Sequence, residues 1–112
     1  MGRTFRKRDM VMKIDLNQGD ILRIDRIRQP VLIASKTFFN QTGEIIGCSI
    51  YENGKPGALH IHICTDKVDG YVQCEKLALL DLNIRMYSKI DRIHMSDIIE
   101  ITDAIQGIFD YI

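Results

Sequence analysis

The sequence has no apolar run approaching the roughly 18 to 20 residues that a membrane-spanning helix requires, which excludes that class of protein. It also lacks net charge. Fifteen lysines and arginines balance 15 aspartates and glutamates, so bulk electrostatics gives no argument for a nucleic-acid partner. Cysteine is scarce and odd in number. Cys48, Cys64 and Cys74 each sit in an apolar strand-like run, which excludes a disulfide framework of loops and predicts buried reduced thiols. Internal repeats, low-complexity tracts and linkers are absent, and 112 residues bury one core but not two.

What charge there is lies unevenly. Arg3, Arg6, Lys7, Arg8 and Lys13 face only Asp9 within residues 1–13, and the remainder is correspondingly acidic. Residues 1–15 therefore read as a basic leader before a single domain, 16–112. The stretch Met10 to Asp15 is too short and too interrupted for a signal-peptide apolar region, so a cytoplasmic location with no membrane contact is expected.

The rest of the chain reads as short strands followed by one helix. Gly19-Asp20 marks a turn, and Ile21 to Asp25 alternates as a first strand. Pro30 has no amide for a ladder and can only begin a strand, so Val31 to Ala34, apolar throughout, is expected to be a central strand buried on both faces. Ser35 to Asn40 suggests a helical turn, Thr42-Gly43 a turn and Glu44 to Tyr51 a strand. Asn53-Gly54 supplies the positive φ angles of a hairpin loop, and Ala58 to Cys64 returns. Asp69-Gly70 reads as another turn, Tyr71 to Cys74 as β, Leu77 to Leu80 as an apolar run, and Ser88 to Ile93 as a last strand. Ser96 reads as an N-cap with Asp97 and Glu100 in the first turn. Ile98, Ile101, Ile105, Ile108 and Ile112 then recur at helical spacing. The class is α+β, mainly β: a small antiparallel barrel-like sheet with a C-terminal helix.

Three constellations carry candidate chemistry. His60, His62 and Cys64 share one face of a strand by period-two alternation. With Ile61 and Ile63 on the core face and no fourth ligand in zinc-type spacing, a solvated outer face accounts for them, and neither metal nor cofactor is expected. Glu75 and Arg85, with Gln73 and Lys76 beside the carboxylate, pair a candidate base with a phosphate-stabilising cation, or are the solvated face of a strand. Arg23, Arg26 and Arg28 are a candidate RNA-backbone clamp, since guanidinium binds phosphate in a forked geometry, or plain surface charge near a turn.

In combination, several segments resemble the MazF/PemK toxin family. They are Gly19-Asp20-Ile21, Pro30-Val31-Leu32-Ile33, Asn40-Gln41-Thr42-Gly43, Cys48-Ser49-Ile50, Gly70 to Glu75, and Asp81, in the order and approximate spacing of that family. The resemblance runs from about Gly19 to the C-terminal helix. It implies an SH3-like antiparallel β-barrel with attached helix, as in the MazF, PemK and CcdB toxins. It also implies a homodimer and a toxin of a type II toxin-antitoxin system, neutralised by an antitoxin peptide or protein. The implied activity is endoribonucleolytic cleavage of single-stranded RNA, with the ribose 2′-hydroxyl attacking and a cyclic phosphate left behind.

Carried over by position, Glu75 falls where the PemK branch has an acidic residue proposed as base, and Gln73 where it has an arginine proposed as acid. A glutamine amide cannot donate a proton in that way. The family's arginine before the proline is here Gln29, with Arg28 one residue earlier, and the threonine of its Pro-x-Thr is here Tyr51, with Ser49 two residues away. The implied catalytic set is Glu75, Arg28 and Arg85, with Arg26, Gln29, Ser49, Tyr51 and Gln73 on the substrate. Arg28 can take the arginine's role only if the connection before Pro30 is irregular, because successive strand residues point to opposite faces. Loss of the family residues at Gln29, Gln73 and Tyr51 leaves a second reading. This is a degenerate member that acts by binding an antitoxin, nucleic acid or a protein target such as gyrase. A third is a metal-binding regulator through His60 and His62.

Overall fold

The computed structural model describes residues 14–110; the basic segment 1–13 and Ile112 lie outside the described residues. The strands are β1 (Asp20–Ile24), β2 (Val31–Ile33), β3 (Glu44–Tyr51), β4 (His60–Cys64), β5 (Asp69–Asp81) and β6 (Tyr87–Arg92). A short helix α1 (Thr37–Asn40) follows β2, and α2 (Met95–Phe109) closes the chain. The strands form one six-stranded sheet in the order β4-β5-β3-β2-β1-β6, every pair antiparallel, curled into a half-barrel.

Both faces of the sheet are covered, and the strand sequences show why. Along β1 and β2, Ile21 and Leu32 enter the cluster beneath α2, with Cys48, Ile50, Val72, Ile98 and Ile101. Leu22, Ile24, Val31 and Ile33 enter a second cluster on the other face, with Leu16 and Ile45. All three residues of β2 are thus buried, as expected of a central strand apolar at every position. Gly47 permits the close approach of β3 to β2, since a Cβ there would lie 2.6 Å from Val31 Cγ1.

Asp20 is the charged residue inside this packing. Its carboxylate receives Arg92 Nη1 at 2.7 Å, lies 3.1 Å from Lys89 Nζ, and accepts the Asn17 amide at 2.9 Å. Lys89 also meets Asp15 at 2.9 Å, so β1, β6 and the chain before β1 are joined through one buried carboxylate.

Four local expectations are corrected. The loop through Asn53-Gly54 is not a hairpin with positive φ: β4 pairs with β5 rather than β3, and among the described residues positive φ occurs at Gly19, Arg26 and Gly43. The helix begins at Met95 rather than after Ser96, because the amides of Asp97 and Ile98 both close onto the His94 carbonyl, at 3.0 and 3.1 Å, with no side-chain cap. Asp69 and Gly70 belong to β5, and the turn lies before them, where Thr65 N donates to Val68 O at 2.7 Å. Cys64 is exposed, because it stands on the outer face of β4 beside His62, whereas Cys48 and Cys74 are buried.

Candidate functional site

An open cavity of about 480 Å³ lies where the β1–β2 connection, the end of β3 with the loop after it, and the start of β5 converge. Arg23, Arg28, Gln29, Tyr51, Lys67 and Gln73 contribute to its wall, and Glu52 and Asn53 come from the β3–β4 loop. Three cations against one carboxylate give its lining a positive balance.

The β1–β2 connection is irregular. Arg26 takes φ 70°, in the left-handed region, and the Ile27 amide folds back to the Ile24 carbonyl at 3.1 Å. Arg23 Nη1 donates to the Arg28 carbonyl at 3.0 Å, tying the connection to β1. Strand alternation therefore does not govern here, and Arg28 and Gln29 both line the cavity although they are adjacent in sequence. Arg26, at the exposed turn, does not line it.

The opposite wall depends on a defect in β5. Cys48 pairs with Leu77 and Ile50 with Val72, so four residues of β5 stand where β3 has only Ser49. Within that excess, Gln73 lines the cavity, Cys74 enters the core, Glu75 is exposed, and Lys76 Nζ lies 5.5 Å from the Tyr51 ring centroid. Gln73 Oε1 is buried and has no hydrogen-bond partner among the described residues.

Glu75 is engaged elsewhere. Its carboxylate lies 2.8 Å from His60 Nε2, and His60 Nδ1 lies 3.2 Å from the Lys55 carbonyl. The His60 contact holds the Glu75 carboxyl below its ordinary range, and Glu75 in turn raises His60. A carboxylate so held is a weaker base. Neither Ser49, paired with Val31 in the sheet, nor Arg85, exposed in the turn between β5 and β6, lines the cavity. Of the eight residues singled out from the sequence, the structure gathers Arg28, Gln29, Tyr51 and Gln73, and sets Glu75, Arg85, Arg26 and Ser49 outside the wall.

Sequence reasoning missed Glu52, Asn53 and Lys67 and grouped Arg23 with the arginine clamp alone. Lys67 has no local signal. It reaches the cavity because the turn after β4 lies against β6, where the Lys67 amide donates to Asp91 Oδ2 at 3.3 Å.

Other chemistry is poorly supported. His62 Nε2 meets Asp69 Oδ1 at 2.6 Å, and among the described residues no three His, Cys, Asp or Glu side chains converge as a metal ion requires. Burial pushes the Cys48 thiol up to about 12 and the Cys74 thiol up to about 11, so neither is a thiolate nucleophile near neutral pH. No described helix is long and apolar enough to cross a membrane.

A sequence profile for the PemK-like, MazF-like toxin of type II toxin-antitoxin systems matches residues 7–109. No curated protein matches the chain in sequence. Among solved structures, the chain resembles one from a MazE-MazF crystal structure (Form-I) of Deinococcus radiodurans, with TM-score 0.77 and 18% identity over 84% of this chain and 95% of that one. It also resembles MazF (Form-I) from the same organism, with TM-score 0.75 and 16% identity over 84% and 96%. An endoribonuclease in complex with its cognate antitoxin from Mycobacterial species gives TM-score 0.74 and 15% identity over 84% and 94%. At these identities the structural likeness is one of fold.

Proposed function

The chain belongs to the PemK-like, MazF-like toxin family of type II toxin-antitoxin systems, and from that premise we propose that it is an endoribonuclease whose substrate, single-stranded RNA, binds in the Arg28 cavity. The observation that carries this reading is the gathering of Arg23, Arg28 and Lys67 around one open cavity beside Tyr51 and two amides. Guanidinium groups grip a phosphate through paired N–H donors, and an aromatic ring offers a surface for an unstacked base.

In the reaction, the ribose 2′-hydroxyl attacks the adjacent phosphorus, its proton passes to a base, and the P–O5′ bond breaks, the 5′-oxygen taking a proton from solvent water and leaving as a hydroxyl while a 2′,3′-cyclic phosphate remains. Arg28 takes the part of the family arginine that Gln29 lacks, which the irregular connection permits. It stabilises the charge that accumulates on the phosphoryl oxygens, with Arg23 and Lys67 adding to the field. Two carboxylates are candidates for the base. Glu75 holds the family position but is bound to His60, whereas Glu52 stands in the wall itself. Geometry favours Glu52, since a base must reach the proton it takes.

Comparing Glu52→Gln, Glu75→Gln and Arg28→Ala on a long unstructured RNA tests the assignment. Loss of cleavage in Arg28→Ala and Glu52→Gln, with Glu75→Gln active, is the expected pattern. Cleavage unaffected by all three contradicts it. We further propose an antitoxin as partner, supported by the antitoxin-bound structures of similar fold, a homodimer in solution, and the cytoplasm as the place of action.

A further inference from the structure

The wall of the cavity holds one group that the phosphate chemistry does not use. Gln73 Oε1 is a buried acceptor with no donor among the described residues, an arrangement that costs free energy. Val72 and Cys74 on either side are fully buried, the Cys74 amide donates to the Leu59 carbonyl at 2.8 Å, and Gln73 is in register with His60. The backbone is therefore pinned on both sides of the residue, and Gln73 is held at the cavity wall.

With Oε1 as the buried end of the amide, a phosphate does not complete it. It presents acceptors, as Oε1 does, and its donors are the nearby Arg23, Arg28 and Lys67. The group that completes Gln73 must bring an N–H or O–H. Of the donors on an RNA strand, a ribose hydroxyl is the same in every nucleotide, whereas the N–H groups on base edges differ. The neighbours of Gln73 are those that recognise bases: the Gln29 and Asn53 amides and the Tyr51 ring line the same space.

We propose that Gln73 is a specificity-determining residue of this cavity, its buried amide oxygen accepting a hydrogen bond from an N–H on the edge of one preferred nucleobase. The inference rests on the RNA reading above. It assigns a binding role to a position where the family has a residue proposed as acid, and needs no proton transfer by the amide.

The experiment measures affinity, so that it stands apart from cleavage. Short homopolymers of each of the four bases, made with 2′-deoxyribose so that they cannot be cut and carry no 2′-hydroxyl, are titrated against the full chain by fluorescence anisotropy. The wild type is expected to prefer one base about tenfold or more. Gln73→Met, which keeps the side-chain length and removes the acceptor, is expected to collapse that preference. Gln73→Glu, which keeps an acceptor in place, guards against a folding artefact and is expected to retain the ranking with weaker binding throughout. Arg28→Ala is expected to weaken all four polymers alike.

Equal affinities in the wild type, or a preference that survives Gln73→Met, overturns the proposal even if the protein cleaves RNA. A preference lost in Gln73→Met upholds it even if no RNA is cleaved, in which case only the catalytic reading fails. Binding to none of the polymers overturns it too.

Discussion

Asn40 buries its side-chain amide and Gln73 its amide oxygen, and the chain treats the two differently. Asn40, at the end of α1, donates from Nδ2 to the carbonyls of Leu16 at 2.8 Å and Ser35 at 3.1 Å and accepts the Ser35 hydroxyl at 2.5 Å. Ser35 Oγ in turn accepts the Ile46 amide at 2.9 Å, so the side chain joins the segment before β1, α1 and β3. Gln73, inside the irregular part of β5, keeps a buried oxygen with no donor. An amide completed by its own chain serves the fold, and one left incomplete at a cavity wall is available to a ligand.

Asp20 stands on the satisfied side of this comparison and gives the largest expected effect. The double variant Arg92→Ala with Lys89→Ala leaves the buried Asp20 carboxylate without a cation and should lower unfolding free energy by about 3 kcal/mol in denaturant titration. A loss under about 1 kcal/mol would mean that the network is no more than a surface ion pair. Asn40→Ala should cost about 2 kcal/mol by orphaning the Leu16 and Ser35 carbonyls while leaving RNA affinity unchanged. Gln73→Met should move stability by no more than about 1 kcal/mol, and upward, since it removes an unsatisfied acceptor from a place it already occupied. If that variant instead unfolds as readily as Asn40→Ala, both amides serve the fold and the contrast disappears.

The smallest effect concerns the pair that draws Glu75 away from the cavity. His60 is raised above its ordinary 6.5 by Glu75, so its contribution to stability is complete below about 6.5 and is lost as pH rises through the folded value. Glu75 is lowered below its ordinary 4.5 by His60, so its contribution is present above 4.5 and is lost as pH falls through the folded value. The pair is therefore strongest between these limits. Both groups are solvent-accessible, so the effect is best read by NMR titration of the His60 ring. Its midpoint should fall toward 6.5 in Glu75→Gln, and an unchanged midpoint would show that the contact does not persist in solution.

The central strand was legible because Pro30 and the run after it admit few alternatives, and the helix because Ile98, Ile101, Ile105 and Ile108 repeat at its period. The site was legible only in part. Period-two reading assumes an unbroken strand, and four residues of β5 opposite Ser49 break it where Gln73 and Glu75 lie. Tyr71 to Cys74 and Leu77 to Leu80 therefore read as two pieces, although they are one strand. Arg28 and Gln29 reach the same cavity through an irregular turn that composition does not announce, and Lys67 arrives from a turn distant in sequence. Such placements come from topology, which local pattern does not encode.

RNA cleavage in the Arg28 cavity is the central proposal. The most direct test incubates wild type and Arg28→Ala with a long unstructured RNA and maps the new ends together with their terminal phosphate. Discrete cuts ending in a cyclic phosphate are expected for the wild type, slowed about 100-fold or more in Arg28→Ala with the fold intact. Absence of cleavage by the wild type, or cleavage at the same rate in Arg28→Ala, would contradict it.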